Sequence, residues 1–181
     1  KLLKDLIEIN KTFKGCKLNL KQANAYITDR IRKTKEYLDS MANALASGYV
    51  DRNNILLAAR ELLASVGEAH SAWNSVNILK NNRINATLVD LSGIDDSEYL
   101  TINERIKKTF RGVPLKNTIA IATGYTKGTE GIMREFDRGY SEVTFSKIAV
   151  ELKAREAVIH KEFHLSSADP KLVGHENVRK L

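Results

Sequence analysis

The sequence has too little cysteine and too few long apolar runs for several large classes of protein. Cys16 is the single cysteine among 181 residues, so no internal disulfide can form and a reducing compartment, most simply the cytoplasm, is expected. No stretch approaches the roughly 20 apolar residues of a membrane-spanning helix, and the first residues lack the long apolar centre of a secretory signal. These absences argue against a secreted disulfide scaffold and against a membrane partner.

Several signatures of common enzyme chemistry are missing as well. The sequence contains no Cys-x-x-Cys pair, no Ser/His/Asp triad and no strict P-loop, so any phosphate is bound by a different device. His160, Glu162 and His164 lie close together after a predicted strand, which suggests part of a zinc site. Because no second cluster supplies the remaining ligands, we predict no protein-bound metal ion at these side chains.

The net charge of +7 is concentrated near the beginning of the chain. Residues 1–50 contain ten Lys and Arg against five Asp and Glu. This surplus is compatible with a nucleic-acid-binding face or with a solvated helix face. The lysines alternate with apolar residues at helical spacing and few aromatic residues accompany them, which favours the solvated face. We therefore predict no nucleic-acid partner.

The composition, with 43% hydrophobic and 28% charged residues, is typical of one globular domain or the greater part of one. Residues 1–82 are predicted to be mainly helical. Asn19, with Gln22 three residues later, is a plausible capping box, and apolar residues then recur every three or four positions until Gly48 ends the helix. A second helix is predicted over residues 55–63, with a break near Gly67 and a third helix over residues 72–79.

The pattern changes to alternating strands and helices over residues 83–181. A short basic helix is predicted between two strands, and a further helix and strand follow. This alternation indicates a parallel sheet covered by helices, in which ligands bind beyond the carboxyl ends of the strands. The predicted elements are a strand over 84–91, a helix over 102–110, a buried strand over 118–123, a helix from about 141 and a strand over 156–160.

A loop with three glycines, residues 124–131, follows the strand predicted at 118–123. Glycines let the backbone approach a ligand, and the free N–H groups of a helix start favour an anion. Arg138 could bind a carboxylate or phosphate in bidentate fashion, or pair with a neighbouring acid, and Ser141 could cap the next helix. From spacing alone, an anion site and a long surface hairpin remain equally compatible.

Residues 65–68, Ser-Val-Gly-Glu, are predicted to join two helices. An acid at that position has two interpretations. Glu68 could complement the dipole of the following helix from its first turn, or its carboxylate could face an ammonium group of a ligand. Local sequence does not decide between them.

Taken together, five segments of the chain resemble the catalytic domain of aspartate kinases, within the amino-acid kinase family. Residues 159–170 look most like the divergent aspartate kinases found beside ectoine-synthesis genes. The resemblance implies a three-layer α/β/α sandwich with a mainly parallel sheet and a helical N-terminal part, of which residues 1–181 form part of a single catalytic domain. The five segments are residues 65–68, 86–91, 121–125, 137–142 and 167–171.

The resemblance implies ATP-dependent, Mg²⁺-assisted phosphorylation of the β-carboxylate of L-aspartate. By position, Glu68 would bind the substrate ammonium and Arg138 a substrate carboxylate. Tyr125 and Ser141 would line the amino-acid pocket, and Glu142 stands where the usual motif has Asp. The phosphate and nucleotide contacts would come from the loop and from the segment that follows the last predicted strand, namely Gly124, Gly128, His160, Lys161 and Lys171.

The chain also departs from the family pattern. The family begins with a strand and a Lys-Phe-Gly-Gly motif that cradles the transferred phosphate, and this chain shows neither that motif nor the C-terminal regulatory domains. We therefore expect little or no kinase activity from the chain alone. Two alternatives stay open: a kinase for another acidic amino acid such as glutamate, and a non-enzymatic helical interaction module. A homo-oligomer is compatible with the sequence.

Overall fold

Three helices form the first part of the protein in the computed structural model, which describes residues 1–136, 139–160, 174 and 176. The helix α1 spans Leu2–Thr12, α2 spans Leu20–Ala46 and α3 spans Arg52–Asn81. They pack on one another through apolar side chains that include Leu6, Ile27 and Val66. None of the helices in the described ranges is long and apolar enough to cross a membrane.

The predicted end of α2 is confirmed, and its predicted capping box is confirmed in one of its two hydrogen bonds. The side chain of Asn19 accepts a hydrogen bond from the backbone N–H of Gln22 at 3.2 Å, which satisfies one of the free donors of the first turn. The helix ends at Ala46, and Gly48 follows with a φ of +74°. On the outer face, Arg32 pairs with Asp29 and with Glu36, each at 2.6 Å, as expected of a solvated face.

The predicted break near Gly67 is wrong, because α3 continues through it as one helix of 30 residues. A glycine inside a helix costs only about 1 kcal/mol relative to alanine. Burial of Val66, Ala69 and Ala72 on both sides of Gly67 outweighs that cost. Glu68 therefore lies in the middle of α3, and its interpretation as a first-turn carboxylate is wrong.

Replacing Gly67 by alanine is expected to stabilise the protein. A Cβ atom at this position would meet no atom within 4 Å, and alanine has the higher helix propensity, so we expect a gain of about 0.5–1 kcal/mol. Thermal unfolding should shift upward by roughly 1–4 °C. The control is Gly48→Ala, which should destabilise because the φ of +74° is unfavourable for alanine. A lower melting temperature for Gly67→Ala would contradict the prediction.

The second part of the chain contains a two-stranded parallel sheet in the described residues. Strand β1 (Ala86–Val89) pairs with β2 (Ile119–Ala122), with Ala86 opposite Ile119. The helix α4 (Ile102–Phe110) connects them and begins with a reciprocal capping box between Thr101 and Glu104. Two further helices follow β2, namely α5 (Ile132–Glu135) and α6 (Tyr140–Glu151).

The predicted alternation is therefore confirmed in part. The fold is mixed α/β and mostly helical, and the strands at 84–91 and 118–123 are present in shorter form. The strand predicted at residues 156–160 is wrong, since this segment pairs with nothing in the described ranges and leaves Val158 65% and Ile159 56% exposed. The burial predicted for the second strand is also wrong at its start, where Ile119 is 49% exposed.

The main apolar core lies between the sheet, α4 and the loop after β2. Leu91, Ile102 and Ile106 are almost completely buried there. Tyr125, from the glycine loop, and Met133, from α5, belong to the same cluster. The start of the glycine loop is thus part of the core, and the surrounding packing fixes its position.

Candidate functional site

The loop after β2 runs beside the segment that follows β1, at the edge where both parallel strands end. The backbone N–H of Thr123 donates to the carbonyl of Val89 at 3.1 Å, and that of Lys127 donates to Leu91 at 2.9 Å. The hydroxyl of Thr123 accepts from the N–H of Leu91 at 3.0 Å and donates to the carbonyl of Tyr125 at 2.9 Å. Residues 123–126 are buried. The loop is therefore not a long surface hairpin.

Three residues from separate elements converge at the start of this loop. Ser141, in the first turn of α6, donates a hydrogen bond to Oε1 of Glu68 on α3 at 2.7 Å. A Cβ atom at Gly124 would lie 2.5 Å from Oγ of Ser141 and 2.6 Å from Oε2 of Glu68. Only glycine leaves room for this contact. The structure therefore places the predicted residues Glu68, Gly124 and Ser141 together.

The predicted capping role of Ser141 is wrong. The N-cap position of α6 is Gly139, which has a φ of +79° and makes no side-chain cap. The Ser141 hydroxyl donates instead to Glu68 on the neighbouring helix α3. Because the serine lies one residue inside the helix, its side chain can reach across to α3.

One oxygen of the Glu68 carboxylate accepts no hydrogen bond from the described residues. Its Oε2 atom is buried and has no hydrogen-bond partner among the described residues. A buried polar atom without a partner is costly, so its presence in a native structure needs an explanation. Tyr140 lies beside the same carboxylate, and burial together with Glu68 raises the pKa of its phenol. A cationic or N–H-donating group of a ligand would satisfy Oε2.

Tyr125 contributes its ring to the site and its hydroxyl to another contact. Its phenol donates to Oε2 of Glu61 at 3.0 Å, and its ring meets that of Tyr140 edge-on, with centroids 6.5 Å apart. Burial and the Glu61 carboxylate raise the pKa of Tyr125, so the phenol stays protonated. Sequence reasoning missed Glu61, which lies seven residues before Glu68 on the same face of α3; the predicted break at Gly67 concealed that spacing.

A cleft of about 570 Å³ is lined by Glu61 and Tyr125, whereas Glu68, Gly124 and Ser141 are not among its lining residues. Its walls come from Tyr37 and Met41 on α2, Leu62 and Ser65 on α3, and Lys127 in the loop after β2. Ser65 lies one helical turn before Glu68, so the cleft and the carboxylate share one face of α3. The cleft thus opens where parallel sheets usually bind ligands.

Two cations fix the rim of the cleft. Arg105, which is buried, binds Oδ2 of Asp96 at 2.7 Å and the carbonyl of Lys127 at 2.6 Å. Lys127 in turn donates to the carbonyls of Asp96 at 2.7 Å and Gly93 at 3.2 Å. Burial lowers the pKa of Lys127. Both side chains hold the segment after β1 against the glycine loop.

The other predicted residues are more widely spread. Gly128 packs so closely on α4 that a Cβ atom would lie 2.5 Å from Cγ1 of Ile102, which gives its small size a structural reason. Glu142 is half-buried in the first turn of α6, beside Ser141, and His160 is exposed beyond that helix. Arg138, Lys161 and Lys171 lie outside the described residues.

Two comparisons with known proteins found similarities to this chain. Residues 10–181 match the family model described as the amino acid kinase family. The chain is 48% identical over 159 residues to a protein of Stutzerimonas stutzeri (strain A1501) named aspartate kinase Ask_Ect. The match covers 88% of this chain but 33% of that relative, so the chain spans about a third of its length. No solved structure matches the chain significantly.

Proposed function

Because the chain belongs to the amino acid kinase family, we propose that it forms part of the catalytic domain of an aspartate kinase. The proposed reaction transfers a phosphoryl group from ATP to the β-carboxylate of L-aspartate. We assign it to the type found beside ectoine-synthesis genes, with a complete fold that is a three-layer α/β/α sandwich. The 48% identity to a protein with an aspartate kinase name supports this choice within the family.

The observation that carries the proposal is the unpartnered oxygen of Glu68. An α-ammonium group supplies three N–H donors and a positive charge, which is what a buried carboxylate oxygen lacks. Ser141 holds the other oxygen at 2.7 Å and so fixes the direction in which Oε2 points. An acidic ligand without an amino group would be repelled there, and this argues for an amino acid.

The remaining roles rest on the family and on charge. Arg138 would bind a substrate carboxylate, Ser141 and Tyr125 would line the pocket, and Glu142 would stand next to it. Two anions, the aspartate carboxylate and a triphosphate, repel each other unless cations and N–H groups lie between them. Arg138 and Lys171 have the required charge.

The nucleotide half of the site is proposed from family membership. ATP would supply the phosphoryl group, with Mg²⁺ to neutralise its charge. Lys161 and Lys171 would contact phosphate, together with Gly124, Gly128 and His160. No group of three or more His, Cys, Asp or Glu side chains able to hold a metal ion occurs among residues 1–136 and 139–160.

Calorimetry with matched ligands tests the amino-acid half of the proposal. L-aspartate should bind, whereas succinate, which keeps both carboxylates and lacks the amine, should bind at least about 10-fold more weakly. The reason is the loss of a charge-assisted hydrogen bond to Glu68, which contributes about 1.5–3 kcal/mol. Succinate binding as tight as that of L-aspartate would contradict the proposed role of Glu68.

Two further titrations separate the alternatives. Tighter binding of L-glutamate than of L-aspartate would indicate a kinase for the longer amino acid. Binding of a short DNA duplex without any binding of either amino acid would favour a non-enzymatic helical module. The outcome expected here is heat from L-aspartate and none from the duplex.

A further inference from the structure

We propose that Glu61 is a positioning residue for the amino-acid site, which it shapes by holding the glycine loop against α3. This inference rests on the proposed function, because it assigns a role within that site. Nothing in the sequence singled out Glu61. The inference comes from the positions of the Glu61 and Glu68 carboxylates on α3.

Glu61 binds two separate parts of the chain that follows β2. Its Oε2 accepts from the phenol of Tyr125 at 3.0 Å, and its Oε1 accepts from the backbone N–H of Met133 at 3.0 Å. A Cβ atom at Gly131 would lie 3.3 Å from the same Oε1. One side chain therefore holds both the beginning of the glycine loop and the start of α5.

The spacing along α3 links this contact to the site. Glu61 and Glu68 are seven residues apart, which is close to two turns, so they share a face of the helix about 10 Å apart. Glu61 holds Tyr125, while Glu68 contacts Ser141 and closely approaches Gly124. The loop after β2 is thus tied to α3 at two points.

Displacement of Tyr125 would change the positions of Gly124 and Ser141 in the site. Tyr125 follows Gly124, whose Cα has no free space towards Glu68 or Ser141. The Tyr125 ring also supports Tyr140 edge-on at 6.5 Å, and Tyr140 precedes Ser141. When Glu61 releases the phenol, Gly124 and Ser141 can move relative to the Glu68 carboxylate.

The hydrogen bonds of the two carboxylates distinguish their roles. Each oxygen of Glu61 accepts a bond from a protein group, whereas Oε2 of Glu68 has no partner among the described residues. Both oxygens of Glu61 are therefore occupied by protein donors, whereas Oε2 of Glu68 could accept a hydrogen bond from a ligand. The raised pKa of Tyr125 keeps its phenol a donor to Glu61.

The test compares Glu61→Met, Tyr125→Phe and the double variant in the 181-residue chain. Methionine keeps the length of the side chain but removes both acceptor oxygens, and phenylalanine keeps the packed ring. Tyr125→Phe should weaken L-aspartate binding by about 5-fold, within the range for one lost hydrogen bond, and Glu61→Met by at least as much. The double variant should be no weaker than Glu61→Met, because that variant has already lost the phenol contact.

Hydrogen exchange supplies a second readout that needs no ligand. The amides of residues 124–136 should exchange faster in Glu61→Met, whereas those of β1 should not change. Glu8→Met, which alters an exposed carboxylate on α1, should change neither exchange nor affinity. If Glu61→Met does not fold, Tyr125→Phe alone carries the comparison.

The outcomes separate this inference from the proposed function. Faster loop exchange with unchanged L-aspartate affinity would show that Glu61 is structural only and would overturn the inference. Unchanged exchange in the loop would overturn it as well. Absence of L-aspartate binding in the wild-type chain would instead refute the proposed function, and exchange would still decide whether Glu61 holds the loop.

Discussion

Replacing Glu68 by glutamine is expected to weaken L-aspartate binding by about 30-fold or more. Removing one partner of a desolvated charge pair costs about 2–5 kcal/mol, which corresponds to that loss or a larger one. The substitution removes the negative charge and keeps the shape. The glutamine oxygen can still accept from Ser141, which now donates to Oε1 of Glu68 at 2.7 Å.

The same change should leave the fold intact. Oε2 of Glu68 has no hydrogen-bond partner among the described residues, and glutamine keeps an acceptor for Ser141, so the unliganded protein loses little. Titration calorimetry and thermal unfolding of the same samples are the measurements. Glu36→Gln on α2, where the carboxylate is exposed and pairs with Arg32, is the matched control and should bind like the wild type. Unchanged affinity in Glu68→Gln would remove the main support for an ammonium site.

Elements with strong local signals could be predicted from the sequence. Asn19 and the apolar repeat that follows predict α2 because the cap and the buried stripe indicate the same helix. The apolar run at residues 118–123 and the glycines after it predict β2 and its loop. Each of these elements is determined mainly by residues close together in the sequence, and the periodicity of apolar residues reveals such local patterns.

Elements that depend on tertiary packing could not be predicted. Gly67 is a helix breaker by propensity, yet the burial of Val66 and Ala69 keeps α3 continuous. Val158 and Ile159 have the character of a strand, but a strand also needs a pairing partner, and none is present in the described ranges. In both cases the local preference is worth about 1 kcal/mol, and long-range contacts decide.

The residues of the candidate site could be predicted from the sequence, but their arrangement in space could not. Glu68, Gly124 and Ser141 were recognised individually from the family resemblance. Their meeting depends on α3 being one helix, which aligns Glu61 with Glu68 and lets Glu68 contact Ser141 on α6. The sequence pattern predicts a capping role for Ser141 because serine is common at helix starts. The fold uses the hydroxyl for Glu68 instead, a contact across 73 residues of chain.

The largest loss of stability is expected from replacing Arg30 by alanine. Arg30 is 4% exposed, and its Nη1 atom binds Oδ2 of Asp90 at 2.6 Å. Its Nη2 atom donates to Oγ of Ser92. These contacts join the middle of α2 to the segment that follows β1, directly beside the cleft. Truncation would leave the Asp90 carboxylate without its cation, and an unpaired, partly buried charge costs about 3–5 kcal/mol.

Because Asp90 keeps 28% of its side-chain surface exposed, we expect the lower end of that range, about 3 kcal/mol. Urea unfolding followed by circular dichroism measures the change. Removing the carboxylate charge as well, in Arg30→Ala with Asp90→Asn, should recover part of the loss, since no unpaired charge remains. Arg32→Ala is the control on the same helix, and its exposed ion pairs predict little change. Equal stability of Arg30→Ala and Arg32→Ala would show that the Arg30–Asp90 pair does not hold α2 to the sheet edge, and that the apolar packing of α2 alone sets the position of the cleft wall.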